Sequence, residues 1–226
     1  MELAVTTARR SQAFTRNMGY QAIKRLADLL FTFVILPVVF PLMAFIALIV
    51  KLDSPGPAIF KQERVGKGGR RFRVYKFRTM QHNLDNSYHK AFMRAFVQGD
   101  VGQEEDENAV YKPFTDSQVT RVGRILRKTS LDELPQLFNI LKGEMSLVGP
   151  RPNVTWEVEA YKSWHIERLA VLPGITGLAQ VNGRSAISFD AIVKYDIAYV
   201  RNQSLWLDLR ILWRTFKSVM EGKGAA

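Results

Sequence analysis

No cysteine occurs in this chain, so disulfides and thiolate metal sites are excluded and the redox compartment leaves no mark on the sequence. Histidine is scarce as well. His82, His89 and His165 show no HExxH or related spacing, which argues against a zinc site and leaves each as a surface or packing residue. Acid is in deficit: 21 Asp and Glu stand against 32 Lys and Arg, a net charge of +11. Such a surplus implies a polyanionic partner, whether nucleic acid, an anionic bilayer or phosphorylated substrates. No helix-turn-helix or aromatic strand motif is present to read nucleic acid, so none is expected as a partner. The pattern GxxxxGK[ST] is missing too, so Gly66-Lys-Gly-Gly69 reads as a turn and not as a phosphate loop. There is no internal repeat.

Charge is also missing from one long stretch. Between Asp28 and Lys51 lie 22 residues without a charged side chain. As a straight helix they rise about 33 Å, enough to cross a hydrocarbon core of roughly 30 Å. The stretch is too far from the N-terminus for a signal peptide and lacks a small-residue cleavage site. Pro37 and Pro41 lie within it. Neither can donate to the carbonyl four residues earlier, so the carbonyls of Phe33 and Pro37 lose their partners, which is costly in lipid unless the helix bends. Both flanks are basic, with Arg9, Arg10, Arg16, Lys24 and Arg25 before and Lys51, Lys61, Arg64, Lys67, Arg70 and Arg71 after. Basic flanks favour the cytoplasmic side. The expectation is a proline-broken, re-entrant membrane helix over residues 24–51, between a tail (1–23) and a cytoplasmic domain (52–226).

The remainder reads as α+β, mainly helical. Asp53 to Pro57 is a turn, and Ile59–Val65 and Arg71–Met80 read as a short β-hairpin. Lys76 and Arg78 share one face by strand period, either solvated or as one wall of an anion site. Residues 83–118 are polar and irregular, with an acidic knot at Glu104 to Glu107, and read as a mobile or helical insertion without chemistry. Helical spacing resumes at Arg121. Ser130-Leu-Asp-Glu133 fits a capping box, Leu134, Leu137, Phe138 and Leu141 follow as an apolar stripe, and Gly143 marks the stop. Asp132 and Glu133 are then either favourable first-turn acids or part of a phosphate site. Arg124, Arg127 and Lys128 just upstream favour the second, as does Arg151, projected from the stiff Pro150-Arg-Pro152. The glycine-punctuated stretch from Leu172 to Arg184 is expected to let backbone amides approach a ligand. Phe189–Tyr199 reads as a helix carrying Asp190 and Asp196. A Ser204-capped helix over 205–221 follows, its apolar side suited equally to a headgroup layer or to the protein's own core.

Taken in order, the Pro41-broken segment, Tyr75-Lys-Phe-Arg-Thr-Met80, Leu131-Asp-Glu-Leu-Pro135, Val148-Gly-Pro-Arg-Pro152, Pro173-Gly-Ile-Thr-Gly177 and Asn182-Gly-Arg184 form a specific series. From about Lys24 to Val219 the chain resembles the monotopic polyprenyl-phosphate phosphoglycosyl transferases, bacterial sugar transferases that start exopolysaccharide, O-antigen and protein-glycan assembly. The resemblance implies an enzyme with amphipathic interfacial helices at the bacterial inner membrane, its catalytic domain facing the cytoplasm. Such an enzyme transfers a sugar 1-phosphate from a UDP-sugar to undecaprenyl phosphate and releases UMP. It further implies Asp132 as the covalent nucleophile, Glu133 beside it, and Mg²⁺ held at Asp132 and Glu133. Lys76, Arg78, Arg127, Arg151, Arg184 and Asp196 are implied as substrate-binding positions, and Pro37 and Pro41 as the membrane break. Lipid and a homo-oligomeric partner are compatible with it. One departure stands out: the family usually places a serine just before the membrane proline, where this chain has Phe40. The competing class is a non-catalytic membrane adaptor.

Overall fold

The structure is a computed structural model that describes residues 18–81, 87–99, 118–183 and 187–221. Its first element, α1, is a helix over Met18–Asp53 that runs through both prolines. It starts ahead of residue 24 because its first turns are anchored: Tyr20 Oη and Lys24 Nζ donate to the buried carboxylate of Asp208, at 2.9 and 2.8 Å. Arg25 donates to the carbonyls of Ile140 and Leu141. The loss of two helical hydrogen bonds at Pro37 and Pro41 is met by packing. A stripe at helical spacing, Asp28, Thr32, Met43, Ile46 and Val50, is buried, and Leu36 and Val39 pack beside it. The other faces expose large apolar side chains such as Leu30, Phe33, Val38, Phe45 and Leu48. By length and composition α1 is able to cross a membrane.

β1 (Ile59–Val65) and β2 (Arg71–Phe77) form the antiparallel hairpin, in register from Ile59 opposite Phe77 to Val65 opposite Arg71. Its turn is a single 3₁₀ turn at Lys67–Gly69, where Gly68 and Gly69 take positive φ. β2 stops before the expected Met80, which instead makes an isolated bridge to Val119. Within the region read as a mobile or helical insertion, α2 (Ser87–Gln98) is a helix whose Val97 is fully buried against Phe189 and Val193. The acidic knot lies outside the described residues.

α3 (Arg121–Thr129) is capped by Thr120, whose hydroxyl accepts from Gly123 N–H. A 3₁₀ segment, Leu131–Gln136, leads into α4 (Leu137–Leu141), and Gly143 at φ 78° ends it as expected. The short parallel strands β3 (Ser146–Val148) and β4 (Gly174–Thr176) pair with each other. Between them lie α5 (Thr155–Glu159) and a 3₁₀ stretch at Ser163–Ala170. After β4 come α6 (Leu178–Asn182), α7 (Phe189–Arg201) and α8 (Leu205–Met220). The glycines of the 172–184 stretch serve the backbone itself. A methyl group on Gly174 would lie 2.1 Å from Gly149 N, and one on Gly177 2.3 Å from Gly149 O. Gly174 and Gly177 let two chain segments cross at contact distance.

α8 packs one side inward and leaves another exposed. Asp208 and Ile211 face inward, while Trp206, Leu209, Trp213, Phe216 and Met220 stay exposed, Trp213 at 68%. The Trp213 and Phe216 rings stack on each other and not on a core.

Candidate active site

Asp132 and Glu133 are delivered by a sharp redirection of the chain. Ser130 ends α3 in the left-handed conformation, φ 57°, and is the one described non-glycine residue with positive φ. The capping box expected at Ser130 is not formed. The serine side chain makes no cap hydrogen bond, and Glu133 N–H binds the Ser130 carbonyl instead. The physical reason is that the Glu133 carboxylate has stronger partners. Lys76 Nζ from β2 reaches its Oε1 at 2.6 Å, and Arg151 Nη1 reaches the same oxygen at 3.1 Å. Pro135 is tolerated within the 3₁₀ turn, and the α-helix proper waits until Leu137.

The two neighbouring carboxylates therefore live in different environments. Burial would raise the Glu133 pKa, but Lys76 and Arg151 overcome it and pull the group down to about 2. Asp132 is 6% exposed and has a buried Oδ1 without a hydrogen-bond partner. Burial raises its pKa; Lys76, Arg151 and Arg127 act against that, and Glu133 adds to it. Lys76 is itself pushed down by burial and supported by Glu133.

Asn139, a fully buried residue not singled out in the sequence, sets the approach of β2. Its side-chain oxygen accepts from Tyr75 N–H at 3.1 Å, and its amide nitrogen donates to Arg73 O and Glu144 Oε2 at 2.7 Å each. These bonds fix the strand on either side of Arg73 and Tyr75, which aims Lys76 at Glu133. The available signal was an amide on an otherwise apolar helical stripe, between Leu137 and Ile140.

The other expected residues divide. Arg127 sits at the end of α3, where its charge acts on Asp132. Arg78 is not at the carboxylates. It is buried and donates to the carbonyls of Val50, Ser54 and Pro57, closing the C-terminal end of α1. Asp196 is buried on α7 and paired with Arg168 at 2.5 Å. Arg184 lies outside the described residues, and Pro37 and Pro41 lie inside α1. His165 is a packing residue, buried among Tyr161, Trp164 and Phe189 and bonded to Asp190. His82 and the His89 side chain are outside the described set.

A cavity of about 420 Å³ opens beside Glu133; Asp132, next to it in the chain, is not among its lining residues. Glu133, Arg151, Arg64, Arg168 and Asp196 contribute its polar wall, and Phe96 of α2 and Phe189 of α7 belong to its apolar one. Among the described residues no cluster of three or more acidic or histidine side chains could cage a metal alone. Asp132 and Glu133 do suit a hard cation that takes one or two carboxylates and completes its shell with phosphate oxygens and water. The unpartnered Asp132 Oδ1 is a ready donor. Chemically, the arrangement presents one carboxylate held ionised by cations, one with an unpartnered buried oxygen, and positive charge beside an open cavity.

Comparison with known proteins places the chain in a family. The family model described as bacterial sugar transferase matches residues 19–222. The chain is 41% identical over 212 residues to the UDP-N-acetylgalactosamine-undecaprenyl-phosphate N-acetylgalactosaminephosphotransferase of Aeromonas hydrophila, covering 91% of this chain and 45% of that protein. It is 42% identical over 203 residues to the undecaprenyl-phosphate galactose phosphotransferase of Salmonella typhimurium, covering 90% and 41%. The chain thus spans less than half the length of these two relatives. Against the exopolysaccharide production protein ExoY of Rhizobium meliloti it is 40% identical over 210 residues, 93% of this chain and 90% of that protein. With the match running from the start of α1 past the end of α8, and with its acidic pair held among cations, this chain belongs to the bacterial sugar transferase family.

Proposed function

We propose that this protein transfers a sugar 1-phosphate from a UDP-sugar to undecaprenyl phosphate, releasing UMP, as the first step in building an exopolysaccharide, O-antigen or other glycan. The observation that carries the reading is the unequal pair: Asp132 buried with a free oxygen, next to Glu133 fixed by Lys76 and Arg151. Asp132 attacks the phosphorus that bears the sugar. The bond from that phosphorus to the bridging oxygen breaks, UMP leaves with the electron pair, and the phosphosugar remains as an acyl phosphate on Asp132. A phosphate oxygen of undecaprenyl phosphate then attacks the same phosphorus, and the carboxylate is released. One site can thereby serve a water-soluble donor and a lipid acceptor in turn.

Mg²⁺ at Asp132 and Glu133 would neutralise donor phosphate oxygens, the condition for an anionic nucleophile to approach. Lys76, Arg151 and Arg127 add fixed positive charge from the protein. The membrane reading rests on the exposed apolar faces of α1 and α8. Both flanks of α1 lie on the cytoplasmic side of the inner membrane, and its two prolines mark a re-entrant course.

The test is UMP release by purified protein in detergent with Mg²⁺, across a panel of UDP-sugars, with and without undecaprenyl phosphate. Lipid-dependent release with one donor is expected. Asp132→Asn should lower it by at least ~10³-fold. A donor labelled at the sugar-bearing phosphate should mark the wild-type protein in the absence of acceptor, and not the Asn variant. Wild-type turnover by Asp132→Asn, with deamidation excluded, would remove the aspartate from the mechanism.

A further inference from the structure

Arg168 carries no motif in the sequence, yet it is the most heavily engaged side chain near the site. It is 2% exposed and lies on the 3₁₀ stretch between α5 and β4. Nη2 donates to the backbone carbonyl of Arg151 at 3.1 Å and pairs with Asp196 Oδ2 at 2.5 Å. Nη1 donates to the side-chain oxygen of Asn153 and, at 2.8 Å, to the hydroxyl of Tyr161. The guanidinium also lies 5.9 Å from the Tyr161 ring centre and 5.8 Å from that of Phe189.

Two of these contacts fall on either side of Pro152. From the opposite side Arg64 donates to the Pro152 carbonyl at 3.0 Å, and Val65 N–H donates to the Asn153 carbonyl at 2.9 Å. The segment 151–153 is thus gripped between β1 and the 163–170 stretch. Its proline neighbours already limit its backbone. The Arg151 side chain leaving this clamp is half exposed, and its one contact with Glu133 is a 3.1 Å bond. Such a long, solvated side chain would otherwise spread over many rotamers. Asp196, expected from the sequence to touch substrate, is the counter-charge that lets Arg168 stay buried.

We propose that Arg168, neutralised by Asp196, is a positioning residue for the transfer reaction. It holds the Arg151 backbone so that the Arg151 guanidinium stays on Glu133 and its charge stays at the Asp132 nucleophile. The inference rests on the proposed transferase reading, and it assigns to Arg168 an action through Arg151, as distinct from the direct substrate contact that its place in the cavity wall would also allow.

A double-variant cycle in the full chain tests it, read as UMP release with the donor the wild type accepts. Arg168→Met should lower turnover about 10- to 100-fold, the usual cost of a misplaced charged group. Added to Arg151→Met it should cost nothing further, because the group it positions is gone. Multiplying losses in the double variant would overturn the proposal, since a purely structural or direct substrate role survives removal of Arg151. Arg168→Lys keeps the charge opposite Asp196 but lacks the planar fork that reaches three hydrogen-bond acceptors and the Asp196 carboxylate at once. It repeats the cycle if Arg168→Met does not fold, with the same non-additivity expected, and wild-type turnover by Arg168→Lys also overturns the proposal. Absence of UMP release by the wild-type protein with every donor would instead count against the transferase reading itself.

Discussion

Asp132 and Glu133 are adjacent in sequence and opposite in electrostatic fate, and that difference is open to titration. In the proposed mechanism turnover needs Asp132 ionised, and burial places its pKa above the ordinary aspartate value. The acid limb of kcat/KM is therefore expected above pH 3.8, the unshifted value. Lys76 acts to lower that pKa, so Lys76→Met should move the limb to higher pH; an unmoved limb would mean that another group controls it. Glu133 has the reverse sign. Its pKa falls from 4.5 to about 2 on folding, so its stabilisation is present above about pH 4.5 and fades as pH drops toward 2. Denaturant unfolding of Glu133→Gln across that window should show a flatter pH dependence than wild type. Asn139 offers a test of strand placement. Asn139→Ala leaves Tyr75 N–H, Arg73 O and Glu144 short of a partner and should cost about 3 kcal/mol in urea unfolding, along with activity lost through Lys76.

At the scale of elements, local chemistry was largely legible and three-dimensional rivalry was not. The hairpin, the Ser204 and Gly143 boundaries and the 189–201 helix follow from turn residues, caps and apolar spacing, all of which act within a few residues. The capping box at Ser130 failed because Lys76, 57 positions away from Glu133 in sequence, outbids a local N–H. The same cause hid the roles of Arg78, Arg168 and Asn139, whose partners lie far along the chain. The acidic pair itself was visible as a motif, whereas its division into a paired and an unpaired carboxylate depends on β2 and the 150–152 segment arriving together. Gly123 shows what such packing demands. A methyl group there would sit 2.1 Å from Thr79 O, so Gly123→Ala should lower stability by about 1–3 kcal/mol by thermal or chemical unfolding. On α8 the exposed Trp213 and Phe216 make a separate prediction. Changing both to Asp should weaken binding to anionic vesicles in a flotation assay, with α1 still holding part of it, and leave the circular dichroism unaltered, because neither ring is part of the core.

For the whole molecule, the arrangement of α1 along the domain bears on topology. Cysteines introduced at Ser11 and Ser54 should both react with an impermeant thiol reagent only from the cytoplasmic side, as a re-entrant course requires; labelling from opposite sides would make α1 a span. The net charge of +11 gives the protein long-range attraction for anionic surfaces. That part of its vesicle binding should weaken as salt rises from 50 to 500 mM, about a threefold contraction of the screening length, while the apolar part persists.

The clasp between the first turns of α1 and Asp208 joins residues 188 and 184 positions apart. During synthesis α1 emerges long before α8, so the clasp at Asp208 closes late. The buried stripe of α1 is covered earlier, by residues of β2, α3 and α4. Trimming away the apolar helix to obtain a soluble enzyme would strip the lid from two core clusters at once. For this chain, the anchor is also part of the foundation.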